Sequence, residues 1–160
     1  MILDRPRHAD LVRQVREAGA RIKLISDGDV DACIATAVPG TGIHVALGTG
    51  GAPEGVLAAA ALKCLGGMFM GKLEPRNDEE ARRAGEMGIV DLSRVLTMND
   101  LAKGEHIVFC ATGITDGDLT RGVRLFGNNA RTHSIVMHSD GTLRFIESVH
   151  RLGARPQHTL

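Results

Sequence analysis

At 160 residues, with 43% hydrophobic side chains and 19 basic residues against 19 acidic ones, the chain can bury a core and reads as one folded domain rather than a disordered segment. Balanced charge removes the basic excess that a nucleic-acid backbone requires, and four Phe with no Trp or Tyr leave few stacking platforms, so nucleic acid is excluded as the expected partner. The longest apolar stretch, Val56 to Leu65, is too short to span a bilayer and the start carries no signal-peptide pattern, so no membrane partner and a cytoplasmic address are expected.

Arg5-Pro6-Arg7 opens the chain with two permanently charged forks on a proline-stiffened stretch, a pair suited to a phosphate ester. From His8 to Ala18, Leu11, Val12 and Val15 share one face, which predicts a surface-packed helix stopped by Gly19. Arg21 to Ile25 alternates as a strand, and Ser26-Asp27-Gly28-Asp29 leads into a helix through Val30 to Val38. His44 to Leu47 reads as a short buried strand. It feeds Gly48-Thr49-Gly50-Gly51-Ala52-Pro53-Glu54-Gly55, after which Val56 to Leu65 is rich in strong helix formers. Pro53 fits the first helical turn, where no donor is lost, and Glu54 sits where free amides favour an anion or a shared cation. The repeated strand, loop, helix rhythm implies parallel neighbours whose loops share one rim at the strand C-terminal ends.

Familiar glycine motifs do not fit this loop. A phosphate-binding P-loop needs Lys and Ser or Thr after Gly55, where Val56 and Leu57 stand, and a dinucleotide fingerprint from Gly48 needs glycine where Pro53 stands.

Further along, Asn77-Asp78-Glu79-Glu80 is a capped helix start running to Met87, and Leu92 to Ala102 holds a short helix. His106 to Ala111 resembles a buried strand. Val123 to Phe126, Thr132 to Met137 and Leu143 to Ser148 suggest antiparallel strands joined at glycine and asparagine turns, and Gly153 to Leu160 reads as a fraying tail. The fold class is therefore α/β, a mixed β-sheet with flanking helices. Ile25-Ser26-Asp27-Gly28-Asp29-Val30 and Ile114-Thr115-Asp116-Gly117-Asp118-Leu119 echo one another, but Ala32 at the sixth position of one loop and Gly127 at the twelfth of the other exclude EF-hands.

Seven histidines show no zinc spacing, and packing or solvent roles are expected for them. The serines lack a nucleophile elbow. Cys33, Cys64 and Cys110 are widely spaced thiols suited to a reducing compartment. No catalytic residue is assigned.

Asp4-Arg5-Pro6-Arg7-His8, Leu24 to Val30, Gly50 to Gly55 and Ala111 to Gly117, taken in order, resemble class II fructose-1,6-bisphosphatases of the GlpX type. Thr132-His133-Ser134 and Ile146 to Leu152 extend the likeness over nearly the whole chain. It covers the C-terminal part of that family. The resemblance implies a single domain over residues 1–160 in a sugar-phosphatase-like fold, corresponding to the substrate-binding portion and lacking the N-terminal metal-binding portion. It further implies a gluconeogenic hydrolase that cleaves the 1-phosphate of fructose 1,6-bisphosphate, with sedoheptulose 1,7-bisphosphate accepted by some members.

By the same resemblance Arg5, Pro6, Arg7, Asp27, Gly28, Asp29 and Gly51 contact substrate and Glu54 is a metal ligand. Mn or Mg would polarise the phosphate and activate a water. One protein carboxylate is poor support for such a centre, so the isolated chain is expected to be inactive or nearly so, with the N-terminal portion as its partner. Two other readings stand beside this one. The chain could be a noncatalytic sugar-phosphate-binding module, or a structural partner that completes an enzyme in trans or forms a homo-oligomer through an exposed sheet edge.

Overall fold

Three stretches of backbone run parallel at the start of the chain. In the computed structural model, which describes residues 1–153, β1 (Ile2–Leu3) pairs in parallel with β2 (Leu24–Ile25), and Ile2 makes a further parallel bridge to Leu47. Met1 closes this third strand position, its amine donating to the Val45 carbonyl and its carbonyl accepting from the Leu47 amide. The strand expected over His44 to Leu47 is thus one bridge long, and it is not buried: Val45 and Leu47 are 54% and 43% exposed. β1 is the central strand of this sheet, with Ile2 buried and α2 packed against it, while Leu24, Val45 and Leu47 on its neighbours stay exposed.

Each parallel segment runs into a helix. After β1 a turn of 3-10 helix, Pro6–His8, leads to α1 (Ala9–Glu17), which carries no buried residue and matches the expected surface helix. After β2 comes α2 (Asp29–Ala35), capped by Gly28 at φ 86°, a left-handed conformation that Gly adopts without strain. After Leu47 comes α3 (Ala52–Leu65), with Pro53 in its first turn and left-handed Gly66 as its stop. Ala58, Ala59 and Ala61 are buried on α3, and their small side chains let other elements approach its backbone closely. α3 packs against α2, against α5 (Met98–Leu101), and against two strands of the main sheet.

That main sheet is antiparallel. β7 (Asn129–His138) lies at its centre, with β8 (Leu143–Arg151) along one side and β5 (Val108–Thr112) and β6 (Arg124–Phe126) sharing the other. Phe109, Ile135 and Met137 on one face meet Ile34 and Ala35 of α2 and Ala61 and Cys64 of α3, with Leu119 closing the cluster. β5 buries Phe109 but exposes Val108, Cys110 and Thr112, so the buried strand expected over His106 to Ala111 is an alternating, one-sided strand shifted towards Thr112. A small hairpin-like pair, β3 (Met70–Gly71) with β4 (Leu96–Thr97), is antiparallel as well. α4 (Asp78–Glu86) starts where the sequence indicates, with the Asn77 side chain accepting from the Glu80 amide.

The α/β class with mixed pairing is therefore present, with the parallel and antiparallel pairings in separate sheets. Among the described residues no helix is long and apolar enough to cross a membrane. Most of the tail expected to fray, residues 154–160, lies outside the described residues.

Candidate functional site at the ends of the parallel strands

The three loops that leave β1, β2 and Leu47 are tied to one another by arginines and one histidine. Arg5 donates from Nη1 to the Asp4 carbonyl at 2.9 Å and from Nη2 to the Ser26 carbonyl at 2.7 Å, joining the first loop to the second. Arg7 donates from Nε and Nη2 to the Thr49 carbonyl, joining the first loop to the third. Each guanidinium carries five donors, so Arg5 keeps Nε and Arg7 keeps Nη1 unspent on these contacts. Pro6 separates them at the first turn of the 3-10 helix, which fixes their spacing.

The carboxylates sit around the glycine loop. A Cβ on Gly50 would come within 2.6 Å of Asp29 Oδ2, and one on Gly51 would overlap the Glu54 carboxylate. Asp29 and Glu54 therefore flank adjacent glycines, each in the first turn of its own helix, where the helix dipole favours negative charge. Asp29 Oδ1 accepts from the Val30 amide and Asp27 Oδ1 from the Gly28 amide, and Asp29 Oδ2 lies against Gly50. Arg5, Pro6, Arg7, Asp27, Gly28, Asp29, Gly51 and Glu54 are thus carried by three loops that contact one another.

Asp27 and Gly28 also line a cleft of about 310 Å³ with Ser26, Asp31 and Asp116 to Asp118. The two Asp-Gly-Asp echoes meet there. The Asp118 amide donates to Asp31 Oδ2 at 3.3 Å, and Lys23 Nζ pairs with Asp118 at 2.5 Å. Burial pushes the Asp31 carboxyl above its usual range and the Asp118 charge adds to this, while the Asp118 amide and Lys23 act against it. Arg5 and Pro6 also border a second hollow of about 400 Å³ with Leu3, Ala9, Val12 and Leu24. Burial likewise raises the Cys33 thiol, with the Asp29 charge adding, which keeps it protonated and agrees with its having no nucleophilic role.

Sequence reasoning missed His8. Among the described residues it is the buried polar side chain, 2% exposed, and both its ring nitrogens are used. Nδ1 bonds the Leu3 carbonyl at 2.8 Å, and Nε2 accepts from the Thr49 amide at 2.9 Å. Leaving a nitrogen of the buried ring unpaired costs about 1–3 kcal/mol. Its place inside the Arg-Pro-Arg-His segment was the available signal, but Thr49 is 41 residues away and no spacing rule links them.

A divalent metal needs more than this rim supplies. Among the described residues no group of three or more His, Cys, Asp or Glu side chains is placed to hold an ion, and Asp29 with Glu54 falls short of a Mg or Mn coordination set. The described residues do not form a metal centre.

Parallel strands feeding helices, with arginines and carboxylates on loops at the strand C-terminal ends, define an α/β protein with a polar rim at those ends. Residues 1–150 match the family described as bacterial fructose-1,6-bisphosphatase, glpX-encoded, and the chain belongs to that family. It is 48% identical over 163 residues to the D-fructose 1,6-bisphosphatase class 2/sedoheptulose 1,7-bisphosphatase of Synechococcus sp. (strain JA-3-3Ab), covering 94% of this chain and 47% of the relative. The like-named protein of Crocosphaera subtropica (strain ATCC 51142 / BH68) is 48% identical over 164 residues, with the same coverage. The chain spans about half the length of the curated relatives it matches.

Proposed function

We propose that this chain supplies the substrate-gripping half of a metal-dependent fructose-1,6-bisphosphatase, acting on the 1-phosphate and accepting sedoheptulose 1,7-bisphosphate as an alternative substrate. The observation that carries the reading is the joining of Arg5 to the Ser26 carbonyl and Arg7 to the Thr49 carbonyl, which ties both cationic forks to the loops that lead to Asp29 and Glu54. In this reading the unspent donors of Arg5 and Arg7 hold the phosphate that does not react, since planar forks suit phosphate oxygens. The backbone at Gly51 lets substrate approach closely, and Asp27, Gly28 and Asp29 accept hydrogen bonds from sugar hydroxyls.

Glu54 contributes one ligand to Mg or Mn, and the remaining ligands come from a portion equivalent to the other half of the relatives. Exposed apolar side chains at Val45, Leu47, Val56 and Leu57 offer surface for that portion to cover. The free thiols Cys33, Cys64 and Cys110 suit a reducing, cytoplasmic address. The test is phosphate release from fructose 1,6-bisphosphate with Mn or Mg, first by this chain alone and then with the N-terminal half of a class II relative added. No release alone and release on addition are expected. Full turnover by the chain alone would refute the divided site, while saturable binding that the second half never converts to turnover would favour a noncatalytic binding module.

A further inference from the structure

We infer that His8 is a positioning residue for Arg7, acting through Thr49; the inference deepens the sugar-bisphosphate reading and rests on it for its functional consequence. Thr49 is held from both sides. Its amide donates to His8 Nε2 at 2.9 Å, and its carbonyl accepts two bonds from Arg7. On its other edge the ring meets the Leu3 carbonyl, which can only accept, so the proton is on Nδ1 and the imidazole is neutral. The ring is buried and Gly48 passes directly over it. A Cβ on Gly48 would stand 3.1 Å from His8 Cε1, and Gly48 is at φ 155°. A side chain at 48 would crowd the ring by a few tenths of an ångström and strain the backbone at this φ, so glycine, histidine and Thr49 form one fitted contact between the segment after β1 and the glycine loop.

The consequence is geometric. The His8 bond to the Thr49 amide holds the loop backbone directly before the carbonyl that takes Arg7 Nε and Nη2, which leaves the Nη1 donors off these contacts. Without that bond, the carbonyl is free to turn and Arg7 loses its orientation while keeping its charge.

Two substitutions separate the ring's two bonds. His8→Asn keeps a donor for the Leu3 carbonyl but cannot reach the Thr49 amide, whereas His8→Gln places a carbonyl oxygen near the Nε2 position. The expected result for His8→Asn is exchange of the Thr49 amide and the Arg7 Nε–H faster by about tenfold or more, with β7 and β8 amides unchanged, and with Gln restoring most of the protection. In a fructose 1,6-bisphosphate titration the Asn variant binds about tenfold more weakly and the Gln variant recovers. Unchanged Arg7 Nε–H exchange in a folded Asn variant, or no rescue by Gln, overturns the proposal. Should Asn fail to fold, imidazole nitrogen resonances of the unmodified chain decide it, because an Nε2–H tautomer or an imidazolium at neutral pH is incompatible with the contact to Thr49. If the unmodified chain binds no bisphosphate, the sugar-bisphosphatase reading falls, and the exchange comparison still decides the role of His8.

Discussion

Arg7 grips the carbonyl oxygen of Thr49 with two N–H groups, Nε at 3.0 Å and Nη2 at 2.7 Å, across 42 residues of chain. A guanidinium held this way has lost rotational freedom before any ligand arrives, so less is lost when its remaining donors meet a phosphate.

The first prediction separates that geometry from simple charge. Arg7→Lys keeps the positive charge but gathers its three donors on one nitrogen, so it cannot set one edge of a planar fork on the carbonyl and another on a phosphate. Charge-assisted hydrogen bonds contribute about 1.5–3 kcal/mol, so bisphosphate affinity should fall by about 10-fold to 100-fold. Titration calorimetry with fructose 1,6-bisphosphate reads this directly. A lysine variant that binds as well as the original would show that charge alone matters at position 7.

A second prediction concerns Gly51. Its backbone, at φ −73° and ψ 149°, suits alanine, but a Cβ there would overlap the Glu54 carboxylate. That carboxylate ends a flexible, exposed side chain, so it swings aside and the fold stays intact. Gly51→Ala should therefore leave stability unchanged or raise it by up to about 1 kcal/mol through the unfolded state. If the proposed divided site is right, then with the N-terminal half of a class II relative added it should weaken the Mn-dependent part of bisphosphate binding and leave the metal-free part alone. Thermal unfolding and titrations with and without Mn give the two readings. Equal losses in both titrations would mean that Glu54 does not serve a metal.

Local chemistry made much of this legible from sequence. Pro53 and Gly66 bracket α3, Asn77 caps α4, and the glycine and asparagine turn at Gly127 and Asn128 joins two strands of the main sheet. These signals act over a few residues, which is why they survive without tertiary knowledge. That the three loops meet was legible too, because successive strand and loop units place their loops on one side whatever the details of packing. Pairings over long separations were not. Thr49 with His8, Asp31 with Asp118 and Lys23 with Asp118 are fixed by how α2, the glycine loop and the Asp116 to Asp118 turn come together. The misjudged strand at His44 to Leu47 has a related cause: an apolar run predicts burial, yet cover depends on what else packs there, and Val45 and Leu47 are exposed in the described residues.

The last prediction uses the pH dependence of Asp31. Its folded-state carboxyl is raised above the ordinary value of 3.8, chiefly by burial, so the folded protein binds that proton more tightly than the unfolded chain does. Stability then decreases as pH rises through the window that starts near 3.8 and ends at the raised value, and above it the charged carboxylate is a constant cost. Asp31→Asn removes the charge while its amide oxygen can still accept from the Asp118 amide. The variant should unfold at a higher temperature than the original at pH 7, with the difference shrinking as pH falls towards 3.8. Other carboxylates oppose this trend in the absolute curves. Asp116 and Asp140 lie below their usual range through hydrogen bonds to Gly122 and Thr142, so their contribution is lost as pH falls. Both proteins share those groups, and the difference between the two curves isolates Asp31. A gap that is constant across the range would mean that burial at Asp31 imposes no proton-linked cost.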